Sequence, residues 1–294
     1  MGAHAYVASN ALTGLAASAF AWYTASGTPS SGAFTPSPDN RSYLNDGRMD
    51  RQLTVAASAA SGLNVIIDMG AATQLVGIAI LNSNPAVQDP GADMAVAVHA
   101  SSNATFAADV NAAKASSTLY SALSPRNKDH VLQWNQSLNK RYWRITWEWS
   151  GGNITNFRVG ELIAFTASTQ LTRRTIYGSG EGKKFFSASE QFSTGERRAM
   201  FLGGPQRMLS MLFSDLNATQ RDELDAMWGA VKGNVSKLLW IDSYEAVATA
   251  AAAAEQNCVW GRLDEDELAF PEDDFALYNM RGFTLRSLGR EAGA

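Results

Sequence analysis

Residues 141–149 read Arg-Tyr-Trp-Arg-Ile-Thr-Trp-Glu-Trp and alternate with a period of two. Successive side chains of a β-strand point to opposite faces of the sheet, so this stretch predicts a strand with two unlike faces. One face holds the apolar positions Trp143, Ile145, Trp147 and Trp149. The other holds Tyr142, Arg144, Thr146 and Glu148. We expect the apolar face to lie in the core of a β-domain.

Further short stretches of strand-forming residues surround this one. They are Asn64–Asp68, Leu75–Leu81 and Met94–Ala100, and turn-forming residues such as Met69-Gly70 and Asn82-Ser83-Asn84-Pro85 end the first two. Several strands separated by Gly, Pro and Asn turns are typical of an antiparallel sandwich and not of an α/β sheet. The sequence therefore predicts a mainly β fold for residues 1–165.

Composition excludes several classes of protein. The 294 residues are 46% hydrophobic and 18% charged, which is enough to form a core. The net charge of -4 argues against nucleic-acid binding, and no apolar run reaches the length of a membrane span. A single cysteine, Cys258, excludes a disulfide framework. Ala11–Trp22 is apolar, but no Lys or Arg precedes Arg41, so a signal peptide is disfavoured.

Charge density divides the chain near residue 166. Residues 1–166 contain ten basic and ten acidic residues, whereas the remaining 128 contain 14 basic and 18 acidic residues. The shift follows the strand-like run Arg158–Phe165 and coincides with a polar stretch. We therefore predict a sandwich over residues 1–165, a hinge or arm over residues 166–184 and a second domain over residues 185–294.

The second domain has the pattern of an α+β unit. A helix is predicted from Leu216 onward, with Asn217 or Thr219 as its N-cap, and Gly233-Asn234 ends it. Lys237–Asp242 is typical of a buried strand. The other predicted elements are an alanine-rich short helix at Glu245–Glu255 and strands at Val259–Leu263 and Tyr278–Leu288.

The first domain resembles a known family through the order of its motifs. Asn45-Asp46-Gly47 precedes a strand that ends Ile67-Asp68-Met69-Gly70, and Arg141–Ile145 and Gly160-Glu161-Leu162 follow later. This order resembles the discoidin domain, a galactose-binding-like jelly roll, over about 125 residues from Tyr43 to Phe165. The cysteine pair of many secreted members is absent here.

The discoidin resemblance implies binding of glycans or lipid headgroups through loops at one end of the sandwich. The corresponding loops here are Thr35–Asn45 and Asn82–Asp93. The candidate carbohydrate-binding residues in or beside them are Phe34, Tyr43, Asp89 and Asp93. The alternative is that these residues belong to ordinary solvated turns.

The second domain resembles the distal-tail and minor tail proteins of long-tailed bacteriophages. Leu238–Asp242 and Arg281–Arg286 stand where the pattern of that family places two strands. The resemblance implies a structural protein of the virion, made in the host cytoplasm. Its implied partners are further copies of itself in a ring, a hexamer by analogy, the tail tube, the hub and a host surface glycan. The candidate ring-interface residues are Leu238, Trp240, Arg281 and Arg286.

Catalytic motifs are absent from the sequence. No nucleophile elbow, P-loop or His-Glu-x-x-His occurs, so we expect no enzyme activity, no catalytic residues, no cofactor and no metal. The acidic runs Asp264–Glu267 and Glu272–Asp274 could hold a cation, although solvated loops are the commoner explanation. Two other functions remain open: a free carbohydrate-binding protein, and a cell-wall or capsule hydrolase that uses loop carboxylates.

Overall fold

The computed structural model describes most of the chain and contains eighteen described strands and one α-helix. The described residues are 3–24, 33–34, 39–47, 51–55, 62–83, 94–120, 129–134, 136–149, 157–172, 180–191, 197–244, 258–265, 267–269 and 278–287. The strands before residue 166 are β1 (Ala3–Val7), β2 (Phe20–Thr24), β3 (Ala33–Phe34), β4 (Leu53–Val55), β5 (Gly62–Gln74), β6 (Gly77–Leu81), β7 (Met94–Ser101), β8 (Asn111–Tyr120), β9 (His130–Gln133), β10 (Asn139–Trp149), β11 (Phe157–Val159) and β12 (Glu161–Phe165). The later elements are β13 (Thr169–Leu171), β14 (Gly180–Gln191), β15 (Arg197–Leu216), α1 (Ala218–Val231), β16 (Leu238–Tyr244), β17 (Cys258–Leu263) and β18 (Tyr278–Ser287).

The first layer is a six-stranded antiparallel sheet in the order β3-β2-β5-β10-β7-β8. β10, which carries the period-two stretch, lies between β5 and β7 near the centre of this sheet. Trp143, Ile145 and Trp147 are almost completely buried, as their alternation predicts. Trp147 stacks on Trp22 with ring centroids 5.8 Å apart and meets the edge of Phe157 at 5.0 Å.

The second layer faces this sheet and closes the sandwich. It contains the three-stranded sheet β12-β6-β9 and the pair β11-β4. Side chains from both layers form one hydrophobic core, which includes Trp22 and Trp143 on one side and Phe157 and Leu162 on the other. The mainly β fold with a sandwich in its first half is therefore confirmed.

The third layer is a seven-stranded sheet in the order β13-β1-β16-β17-β18-β15-β14. Helix α1 packs on its far side through Leu224, Met227 and Val231. Asn217 caps the helix, because its side chain accepts a hydrogen bond from the backbone N–H of Gln220 at 2.9 Å. The side chain of Gln220 in turn accepts a hydrogen bond from the backbone N–H of Asn217 at 3.1 Å. One of the two predicted N-caps is thus correct, and the second unit is α+β.

The two units share a core. The outer face of the three-stranded sheet, including Ile163 and Phe165, packs on the near face of the seven-stranded sheet, including Leu239 and Ile241. Strands β6 and β12 are buried at every position because they are covered on both faces. This explains why residues 75–81 read as a continuous apolar run and not as an alternating one.

The predicted boundary at residue 165 needs a correction at the N-terminus. β1 pairs with β13 on one side and β16 on the other, so the first strand of the chain belongs to the seven-stranded sheet. The sandwich is inserted between two neighbouring strands of that sheet. Asn10 closes the junction, because its side chain donates to Leu162 O at 3.0 Å and accepts from Ala164 N at 3.1 Å.

The predicted hinge over residues 166–184 also needs a correction. Thr169–Leu171 form β13, and Gly180–Lys184 pair with β15 as the start of a long hairpin. The predicted hinge or arm is therefore a paired strand over its last five residues. The predicted alanine-rich helix at Glu245–Glu255 lies outside the described residues.

Candidate functional site

The four predicted carbohydrate-binding residues are not brought together by the described structure. Asp89 and Asp93 lie outside the described residues, and Phe34 pairs with Trp22 at the edge of the six-stranded sheet. Tyr43 lies in a short 3-10 helix, and the guanidinium of Arg51 sits 5.4 Å from the centroid of its ring. One face of Tyr43 is therefore occupied by a cation and is not free to stack on a sugar.

The predicted ring-interface residues occupy different environments. Leu238 and Trp240 are fully buried inside this chain, so they belong to its own core and present no surface to a neighbour. Arg286 forms an ion pair with Asp264 of the same chain. The charge of Arg286 is thus already paired within the chain. Arg281 belongs to β18, and its backbone is all that the structure describes.

A polar junction joins the two units beside the shared core. Gly47 ends the Asn45-Asp46-Gly47 motif with a φ of +76°, and its N–H donates to Oε2 of the buried Glu161 at 2.9 Å. Lys237, immediately before β16, donates from Nζ to Gly47 O at 2.8 Å. One residue of the second unit is thus anchored on the turn of the first, 190 positions away in sequence.

The electrostatics of the junction follow from its burial. Burial lowers the pKa of Lys237, and the nearby Glu161 and Asp46 carboxylates partly offset this effect. A β-carbon at position 47 would lie 2.0 Å from Lys237 Nζ, so only glycine allows this approach. The motif Asn45-Asp46-Gly47 could be recognised in the sequence, but its contact with Lys237 could not be predicted, because the two are 190 positions apart.

A second polar cluster lies on the outer face of the six-stranded sheet. Arg144 on β10 pairs directly with His99 on β7, and Thr146 pairs with Asn64 on β5. Tyr142 follows on the same strand face, since it lies two residues before Arg144. We call these five residues the Arg144 face: Asn64, His99, Tyr142, Arg144 and Thr146.

Arg144 is held over an aromatic ring. Its guanidinium lies 4.7 Å from the centroid of Phe106, a residue with a positive φ of 52° in the turn after β7. Burial, and then the charge of Arg144, lower the pKa of His99, which favours its neutral form. The polar positions of β10 could be read from its alternation, but His99 could not be linked to them, because its pairing with Arg144 joins distant parts of the chain.

The edge of this face carries two ion pairs. Asp68 binds Arg141 through two hydrogen bonds of 2.7 and 2.9 Å, and Lys140 binds Asp109 at 2.6 Å. The Arg141 guanidinium holds the pKa of the Asp68 carboxyl below its usual range. These charges are matched, whereas Arg144 has no ion-pair partner among the described side chains.

The described residues hold neither a metal-binding cluster nor a membrane-spanning helix. No group of three or more His, Cys, Asp or Glu side chains within the described ranges is arranged to hold a metal ion. None of the helices found there has the length and hydrophobicity to span a bilayer. Cys258 is buried in the core shared by the two units.

Comparison with known proteins gives similarities to solved structures alone. No family model and no curated protein matches the sequence. One similar structure is the CBM32 of AlyQ in complex with 4,5-unsaturated mannuronic acid, at 18% identity, covering 42% of this chain and 84% of that one, with a TM-score of 0.31. Another is the lectin domain of lectinolysin complexed with Lewis B antigen. It is 12% identical, the match covers 54% of this chain and 97% of that one, and the TM-score is 0.34. A third is a CBM32 produced by Clostridium perfringens. It is 12% identical, the match covers 54% of this chain and 100% of that one, and the TM-score is 0.30. The fold assignment rests on the sheet order and shared cores of this chain.

Proposed function

We propose that this chain is a non-enzymatic binding protein. Its sandwich recognises carbohydrate at a cell surface, and its seven-stranded unit builds the sandwich rigidly into a larger assembly, a bacteriophage tail tip. The observation that carries this proposal is the insertion of the sandwich between β1 and β13, together with the core that the two units share. Two covalent connections and a common core hold a module in one orientation, which suits a component that presents a binding surface from a fixed scaffold.

The long hairpin of the second unit supports a role in assembly. β14 and β15 pair from Gly180 opposite Ser210 to Gln191 opposite Arg197, whereas β18 pairs with β15 only from Met208 onward. Residues 183–191 and 197–207 therefore form a two-stranded ribbon without a third described strand. Such a ribbon is marginally stable alone in water, so a neighbouring subunit would stabilise it.

Carbohydrate recognition is tested by binding of the full chain to immobilised glycans. We expect retention on a defined glycan. The Tyr43→Ala variant should bind the glycan as the wild type does, because the guanidinium of Arg51 already occupies one face of the Tyr43 ring. Failure of the full chain to bind any surface glycan would refute carbohydrate recognition.

Assembly is tested by the mass of the protein in solution. We expect sedimentation to show a closed homo-oligomer, formed by head-to-tail contacts. Replacing residues 188–200 by Asn-Gly keeps the pair Ser187 and Phe201 and closes the hairpin with a two-residue turn. This variant should sediment as a smaller oligomer than the wild type does, or as a monomer. Its melting temperature should equal that of the wild-type monomer, because the removed ribbon residues pair with no third described strand. A monomeric full chain at high protein concentration would refute the ring.

A further inference from the structure

The Arg144 face contains three polar groups that lack partners in the described structure. Nε of Arg144, Nδ1 of His99 and Oγ1 of Thr146 are buried atoms without a hydrogen bond. Thr146 itself is only 6% exposed. Buried polar groups in folded proteins are nearly always hydrogen-bonded, so three together on one sheet face require an explanation.

These three groups are neighbours. Arg144 and His99 are a direct cross-strand pair, which puts their β-carbons about 5 Å apart. Thr146 lies two residues further along β10, about 6.6 Å from Arg144, on the same face. Arg144 and His99 are each partly exposed, so a single small molecule can contact both side chains, whereas Thr146 lies buried beside them.

The charge of the cluster selects the kind of ligand. Arg144 is a cation without a described ion-pair partner. The exposed Glu148 carboxylate on the same strand face acts on it electrostatically but forms no ion pair with it, and Asp68, opposite Tyr142, is bound to Arg141. A guanidinium binds a carboxylate through two parallel hydrogen bonds. Neutral His99 and the Tyr142 phenol, both partly exposed, can exchange hydrogen bonds with sugar hydroxyls.

We propose that the Arg144 face binds a carboxylate-bearing saccharide, with the sugar carboxylate on the guanidinium of Arg144. The inference rests on the proposed carbohydrate recognition and locates it on the sheet, away from the loops that the sequence indicated. Phe106 supports the guanidinium from one side and keeps it in position for the ligand. His99 binds a hydroxyl of the same sugar ring.

The test compares acidic oligosaccharides with neutral ones on the full chain. The probes are trigalacturonic acid and sialyllactose, and the neutral counterparts are galactotriose and lactose. Calorimetry should show tighter binding of an acidic probe. Arg144→Gln should weaken this binding at least tenfold, which is about 1.4 kcal/mol. Arg144→Lys, which keeps the charge but loses the planar fork, should give a smaller loss.

Arg158→Gln is the matched control, because Arg158 is an exposed arginine on β11 of the same sandwich. It should bind the acidic probe like the wild type. Equal affinities of the Arg144→Gln and Arg158→Gln variants would overturn the inference, and so would equal binding of acidic and neutral probes. If the neutral probes bind and Arg144→Gln leaves that binding unchanged, the Arg144 face is not the binding site, but carbohydrate recognition stands. If no probe binds, the proposed carbohydrate recognition is overturned as well. If Arg144→Gln does not fold, the Arg144→Lys and His99→Gln variants decide by the same comparison.

Discussion

Gly47→Ala should destabilise the protein by breaking the polar junction between the sandwich and the seven-stranded unit. The new methyl group would lie 2.0 Å from Lys237 Nζ, so the lysine must withdraw and its 2.8 Å hydrogen bond to Gly47 O must break. Gly14 provides a matched control. It has a similar φ of +84°, and a β-carbon there would meet no atom within 4 Å.

The magnitude has two parts. A non-glycine residue in the left-handed region costs roughly 1–2 kcal/mol, and both substitutions carry this cost. A hydrogen bond that involves a charged group contributes about 1.5–3 kcal/mol, and only Gly47→Ala loses it. Because Lys237 Nζ is the end of a flexible, partly exposed side chain that can move into water, we expect Gly47→Ala to lower the free energy of unfolding by about 1 kcal/mol more than Gly14→Ala.

Urea denaturation followed by tryptophan fluorescence measures this difference. The Lys237→Met background adds a second check, because Gly47→Ala should there cost no more than Gly14→Ala does. If Gly47→Ala and Gly14→Ala have equal effects in the wild-type background, the Lys237 contact does not stabilise the junction and the reasoning is refuted.

Three other substitutions test separate parts of the fold. Trp147→Ala should lower the free energy of unfolding by about 3–5 kcal/mol in urea denaturation, because it leaves a cavity between the two layers of the sandwich; an unchanged midpoint would contradict the core assignment. His99→Gln should remove part of the pH dependence of stability. Folded His99 has a pKa below its ordinary 6.5, so the unfolded chain takes up the proton first and wild-type stability falls as the pH drops through 6.5 and below; identical pH profiles would show that His99 does not contribute. Asn217→Ala should cost about 1 kcal/mol in thermal unfolding through loss of the capping box, whereas a change near zero would mean that solvent replaces the cap.

Local periodicity was enough to predict several features of the fold. The alternation at residues 141–149 predicted both the strand and its buried tryptophans, because the period of two is a property of the backbone. The helix with its Asn217 cap follows equally from residues that are near one another in the chain. The order of turns and strands was enough to identify the first half as a β-sandwich.

Contacts between residues that are distant in the chain could not be predicted in this way. The assignment of β1 to the second sheet, the anchoring of Lys237 on Gly47 and the pairing of His99 with Arg144 each join segments that no local pattern relates. Leu238 and Trp240 illustrate the same limit, since an apolar strand looks alike in sequence whether a neighbouring subunit or the chain's own layers cover it. Periodicity predicts which positions of a strand are buried, but not which surface covers them. The free energy of packing the whole chain determines that surface.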